Sequence, residues 1–236
     1  MNDKQRNEID EIVERERADD NVVAAILIGS CARGDEREDS DVDYNLVVRE
    51  KRNNCHVTKD DLFLIRARAN EPTRWSYTGA KVLFSRDPEI ADIIAGIPVF
   101  QEAERARKME SFVSQIRMHF SYLMLAEYSK NEYLLRETAV KIALFAGRLV
   151  LADNRVLYPN RKWFSREIER AAAQPAPVCP DMRAVLAAPP TAGAQAFIDG
   201  LLAYKAYPEP AEGWVTRFND DSVFHWKTGS FAIEDW

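Results

Sequence analysis

Apolar and polar positions change their rhythm along the chain, and the changes divide it into elements. From about Lys4 to Arg17, Ile9, Ile12 and Val13 recur at helical spacing among charges, which predicts an amphipathic helix with one narrow buried stripe. Val22 to Ile28 is a nearly continuous run rich in branched residues, the pattern of a strand covered on both faces, and Gly29 marks its end. Asp41 to Val48 alternates instead, which predicts a strand with Val42, Tyr44, Leu46 and Val48 on a single packed face. A helix is expected from Thr58, as N-cap, to about Ala69, and a third strand over Ala80 to Phe84. Arg86 to Glu89 then turns into another helix.

Beyond about Phe100 the strand patterns stop and two long helical patterns follow, Glu102 to about Ser129 and about Glu132 to Ala152. Phe120, Leu123, Leu134, Ile142, Phe145 and Leu149 are placed to share a bundle core. Gln174 to Pro190 carries Pro175, Pro177, Pro180, Pro189 and Pro190 and reads as a loop or linker with room for a short helix, before a last helix over Ala192 to Tyr204. The tail beyond Pro208 holds Trp214, Phe218, Phe224, Trp226 and Trp236, too aromatic for a free end, and is expected to pack back on the body. The fold class is therefore α+β: a small mixed sheet in residues 1–100, then a helical domain in residues 101–236.

Composition narrows the function. At 236 residues the chain can bury a hydrophobic core without disulfides, and Cys31, Cys55 and Cys179 are odd in number, widely spaced and without a CxxC pair, which fits a reduced, cytosolic setting. The charged N-terminus lacks the apolar core of a secretion signal, and runs such as Val22 to Ile28 are too short to cross a bilayer. A formal net charge of -6 argues against a general nucleic-acid-wrapping surface and favours a small substrate. His56, His119 and His225 are scattered, with none at metal-ligand spacing from another, and read as core or surface residues. Trp163, Trp214 and Trp226 read first as packing residues.

The chemistry gathers in Leu27 to Gly34 and Ser40 to Leu46. Residues two apart on a strand point to one side, so Asp41 and Asp43 set two carboxylates together, an arrangement that repels itself unless a cation or a proton intervenes. Magnesium, which takes one or two carboxylates completed by phosphate oxygens and water, is the natural occupant and would suit a nucleoside triphosphate. Gly29 lets the backbone approach a ligand, and Ser30 offers a hydroxyl and an amide where negative groups are favoured. Arg33 either adds a positive charge there or pairs with Asp35, Glu36 or Glu38.

An apolar strand, Gly29-Ser30, Arg33-Gly34 and then Ser40-Asp41-Val42-Asp43 resemble the signature of the polymerase-beta-like nucleotidyltransferases, including the antibiotic-modifying adenylyltransferases. A small mixed sheet followed by helices is similar to the aminoglycoside and lincosamide branch, and Tyr158-Pro159 and Lys162-Trp163 resemble a pattern in bacterial members of unassigned substrate. The resemblance implies that Asp41 and Asp43 bind one or two Mg2+ ions. Gly29, Ser30 and Ser40 would hold the phosphates of ATP or another NTP while an acceptor hydroxyl attacks the α-phosphorus. It also implies a third carboxylate on a later strand; Asp87 is the candidate for ligand or base, and equally reads as a helix N-cap before Pro88. Glu137 and Lys141, four apart on one helix face, read as an ion pair or, by resemblance to a kanamycin-modifying adenylyltransferase, as the base and a phosphate contact. The implied activity is transfer of an NMP to a small-molecule hydroxyl. The alternatives are a member that binds nucleotide without turnover, and a toxin-like transferase acting on protein or RNA.

Overall fold

The computed structural model describes residues 1–176, 178–187 and 191–236. It is α+β and falls into two compact units, Met1–Val99 and Phe100–Trp236. The first contains α1 (Asp3–Arg17), β1 (Val22–Leu27), α2 (Gly29–Arg33), β2 (Tyr44–Val48), β3 (His56–Val57), α3 (Lys59–Arg68), α4 (Glu71–Ser76), β4 (Lys81–Ser85) and α5 (Glu89–Ala95). Its sheet has the order β3-β2-β1-β4, antiparallel on both sides of β1 and parallel between β2 and β3, which makes it mixed as the sequence predicts.

β1 is central, and its branched run is explained by cover on both faces. Leu27 packs with Ile9 and Ile12 of α1, Cys31 of α2 and Val42, while Ala24 and Ile26 pack with Leu62, Ile90, Ile93 and Ile94 of α3 and α5. This two-sided cover corrects the reading of β2. Val47, expected on an open face, is 0% exposed because α3 and α5 roof that side. The strand ladder also begins later than expected: Tyr44 pairs with Leu27, and Asp41 to Asp43 form its lead-in.

Local signals set the helix ends. Asn2 and Gln5 make a reciprocal capping box at α1, and Thr58 and Asp61 make another at α3. Asn70 caps α4, a short helix that the sequence reading left out, by accepting from Thr73 N at 3.1 Å. The two-residue β3 was also left out; it has no alternation long enough to register.

The second unit holds α6 (Arg105–Ser129), α7 (Glu132–Asp153), α8 (Phe164–Arg170), α9 (Val178–Ala187), α10 (Thr191–Ala203) and α11 (Trp214–Phe218). Phe112, Ile116 and Leu123 of α6 pack with Ile142, Phe145 and Leu149 of α7, and Phe120 joins half-buried. Leu135, rather than the expected Leu134, packs against this core. Ten residues of the proline-rich stretch form α9, with Pro180 in its first turn, where an absent N–H breaks no helical bond. Pro177, Pro189 and Pro190 lie outside the described residues. The tail does return to the body, through Phe218 and Ile233, whereas Trp226 is 67% exposed. Among the described residues no helix is long and apolar enough to cross a membrane.

Candidate active site

The apolar β1 ends at Leu27, and Gly29 follows with φ of 72°, a left-handed conformation that glycine adopts without a steric penalty. The five-residue α2 then runs to Arg33 and stops at Gly34, whose φ is 77° and whose N–H returns to Ser30 O. This Gly-Ser corner lies against the aspartate segment. A Cβ built on Gly29 would come within 2.9 Å of Asp43 Cβ and 3.0 Å of its Cγ, so any side chain there would displace the Asp43 carboxylate. Ile28 N donates to Asp43 O at 2.9 Å, and Cys31 Sγ donates to Asp41 O at 3.5 Å. Between the two aspartates, Val42 is 8% exposed and packs with Leu27 and Cys31, while both acidic residues remain exposed. Burial, then the Glu36 and Asp43 carboxylates, push the Cys31 thiol up, which keeps it protonated and a poor nucleophile.

The loop that delivers Asp41 is closed by Ser40, whose Oγ accepts from Arg37 N at 2.8 Å. Ser40 thus shapes the loop next to the site. Arg33 takes the structural one of its two readings: its guanidinium is 3.4 Å from Asp35 and stacks over the Trp75 ring at 4.3 Å. Trp75, on α4, is the partner that sequence reasoning missed. Asn45 Nδ2 donates to the buried Tyr77 hydroxyl at 2.9 Å, a second missed contact on this side of the sheet.

Asp87 is elsewhere. Because β4 runs antiparallel to β1, its first residue Lys81 pairs with Leu27 and its last, Ser85, pairs with Ala24. Asp87 follows Ser85 and so lies by the start of β1, at the sheet end opposite Gly29. With strands rising about 3.3 Å per residue, the separation is on the order of 20 Å. This overturns its reading as a third ligand at the aspartate pair. There Asp87, one residue ahead of Pro88, which holds the N-cap position of α5, accepts from Lys59 Nζ at 2.6 Å and from Glu89 N at 3.0 Å, and the Lys59 bond pulls its carboxyl below the usual range. Among the described residues, no group of three His, Cys, Asp or Glu side chains is placed to hold a metal.

Glu137 and Lys141 are in the second unit, on α7. Lys141 Nζ lies 3.6 Å from Glu137 and 3.1 Å from Glu234, an ion-pair triad. His119 is buried, and burial, with a smaller push from Lys141, takes its imidazole down to about 3, so it is neutral at ordinary pH.

The first unit's site fits a hard divalent cation. Asp41 and Asp43 supply carboxylate oxygens of the kind such an ion prefers, and the missing Cβ at Gly29 is what lets the Asp43 carboxylate lie directly against the corner.

Residues 7–89 match the family model described as Polymerase beta, Nucleotidyltransferase, a stretch that takes in Gly29, Ser30, Asp41 and Asp43. No curated protein matches the chain. The crystal structure of a nucleotidyltransferase-like protein from Exiguobacterium sibiricum 255-15 is similar with a TM-score of 0.46 at 13% identity, covering 93% of this chain and 90% of that one.

Proposed function

We propose that the chain transfers a nucleoside monophosphate from a nucleoside triphosphate to a hydroxyl acceptor, with the site at the Gly29-Ser30 corner and the Asp41/Asp43 pair. One observation carries this reading: the Asp43 carboxylate packs directly on the backbone of Gly29, in the volume that any side chain there would take. The family match over residues 7–89 supports it independently.

In this reading Asp41 and Asp43 hold Mg2+, while the backbone at Gly29 and the Ser30 hydroxyl hold the β- and γ-phosphates. Bound there, the ion would neutralise charge on the phosphate oxygens. The acceptor oxygen attacks the α-phosphorus in line, the bond to the β-phosphate oxygen breaks, and pyrophosphate leaves as the acceptor loses its proton. Glu137 is carried as the base, and Lys141 as a phosphate contact, on the resemblance alone. Arg33 and Ser40 shape the site through Asp35, Trp75 and the Arg37 amide. ATP is the proposed donor and a small cationic molecule, such as an aminoglycoside or lincosamide, the proposed acceptor; the net charge of -6 supports a cationic acceptor and disfavours RNA.

A second reading, nucleotide binding without turnover, is favoured by one feature: β4 brings Lys81 rather than a carboxylate to the site end of β1. Pyrophosphate release from ATP and Mg2+ in the presence of candidate acceptors separates the two. Release that Asp43→Asn reduces by several orders of magnitude supports transfer, whereas ATP binding with no release from any acceptor supports the second reading.

A further inference from the structure

Asp41 precedes the β2 ladder, so the sheet does not fix it. Two other contacts do. The Cys31 thiol reaches Asp41 O at 3.5 Å and steadies the peptide that follows the side chain. The peptide that precedes it is Ser40 C=O to Asp41 N, and its oxygen accepts from Gln5 Nε2 at 3.1 Å. The same amide nitrogen donates to Arg37 O at 2.9 Å, so both of its hydrogens are spent on the loop. Gln5 is 2% exposed, rare for a glutamine.

Its other atoms are used as well. Gln5 Oε1 accepts from Asn2 N at 3.0 Å and completes the capping box of α1, and Asn2 Nδ2 donates to Glu38 O at 3.2 Å. Capping alone needs only the Oε1 acceptor, which a glutamate supplies equally well. The buried amide nitrogen therefore serves the loop, not the helix.

We infer that Gln5 is a positioning residue for the carboxylate pair: it clamps the Arg37–Ser40 turn to α1 and thereby fixes the direction in which Asp41 is presented. The inference rests on reading Asp41 and Asp43 as cation ligands. It assigns α1 a role in the site, since the clamp anchors the loop to a helix whose Ile9 and Ile12 pack on Leu27 and Val42. Partners that orient ligands act on metal affinity by about tenfold or more when removed.

The test uses Mn2+ as the probe, titrated into the full chain and followed by its paramagnetic resonance signal. Gln5→Glu keeps the cap acceptor and removes the donor; Gln5→Met removes both. Ile93→Val, in the core on the other sheet face, controls for lost stability. Both Gln5 variants are expected to bind Mn2+ about tenfold more weakly than wild type. Gln5→Glu is the sharper of the two, because its added negative charge would by itself strengthen cation binding. Amides 40–43 should exchange faster in both, and Ile93→Val should bind Mn2+ as wild type does. Wild-type binding with unchanged affinity in Gln5→Glu overturns the positioning role while leaving the cation reading in place. Absence of Mn2+ binding in wild type itself overturns the cation reading, and the positioning role with it.

Discussion

Gly29 and Asp43 meet with no side chain between them: a Cβ on the glycine would lie 2.9 Å from Asp43 Cβ. Gly29 also holds φ at 72°, so alanine there suffers twice, from the left-handed backbone and from the overlap with the carboxylate. Gly29→Ala is expected to cost about 1–2 kcal/mol in urea unfolding from the backbone alone. Nucleotidyl transfer should fall further than that loss explains, because Asp43 has to move.

Asp87 makes the opposite case. Its carboxylate serves Lys59 and the start of α5, at the far end of β1 from the aspartate pair. Asp87→Ala is expected to leave pyrophosphate release within about twofold of wild type, as for groups acting outside the reacting centre. A loss comparable to that of Asp43→Asn, in a variant with unchanged secondary structure by circular dichroism, would restore Asp87 to the site.

His119 predicts a pH dependence of stability. Its ring stacks on Phe145 at 5.9 Å and meets the Phe218 edge at 5.7 Å, and burial holds its folded-state value down at about 3, against 6.5 when unfolded. Below pH 6.5 the unfolded imidazole takes up a proton that the folded one refuses, so the contribution present above 6.5 is lost as the pH falls toward about 3. The loss has a limiting slope of about 1.4 kcal/mol per pH unit. His119→Phe should flatten this part of the profile in urea melts between pH 4 and 7; an unchanged slope would show that the ring already protonates when folded.

Arg148 ties the C-terminal segment to α7. It is 1% exposed, lies over the Phe112 and Tyr158 rings at 4.7 and 4.5 Å, and donates to Ile233 O at 2.6 Å and Trp236 O at 2.7 Å. Arg148→Met keeps much of the volume but strips both carbonyl partners and is expected to cost about 2–4 kcal/mol. Faster amide exchange over residues 231–236 should accompany the loss.

The fold was largely legible where periodicity is long. The stripe of Ile9 and Ile12, the branched run of β1 and the long patterns of α6 and α7 each match an observed element, and Thr58 announces the cap of α3. What failed was information that no local pattern carries. Whether Val47 is covered depends on α3 and α5, and whether Asp87 reaches Gly29 depends on the direction of β4 relative to β1, which a strand pattern does not encode. At the candidate site the motif residues were readable as types, but their supports were not. Trp75 under Arg33 and Gln5 behind Ser40 are distant in sequence from what they hold. For Gln5 a signal existed, because Asn2 and Gln5 stand at capping-box spacing, but that spacing speaks for the helix and is silent about the loop.

In the proposed function, Asp41 and Asp43 join a divalent cation to a triphosphate beside Gly29. Calorimetric titration of ATP into the full chain, with Mg2+ and again with the metal chelated, probes that junction. Binding is expected to need Mg2+ and to weaken by at least about tenfold in each of Asp41→Asn and Asp43→Asn, as for removal of a ligand. Equal ATP affinity with and without the metal, or wild-type affinity in both variants, would contradict the proposed function.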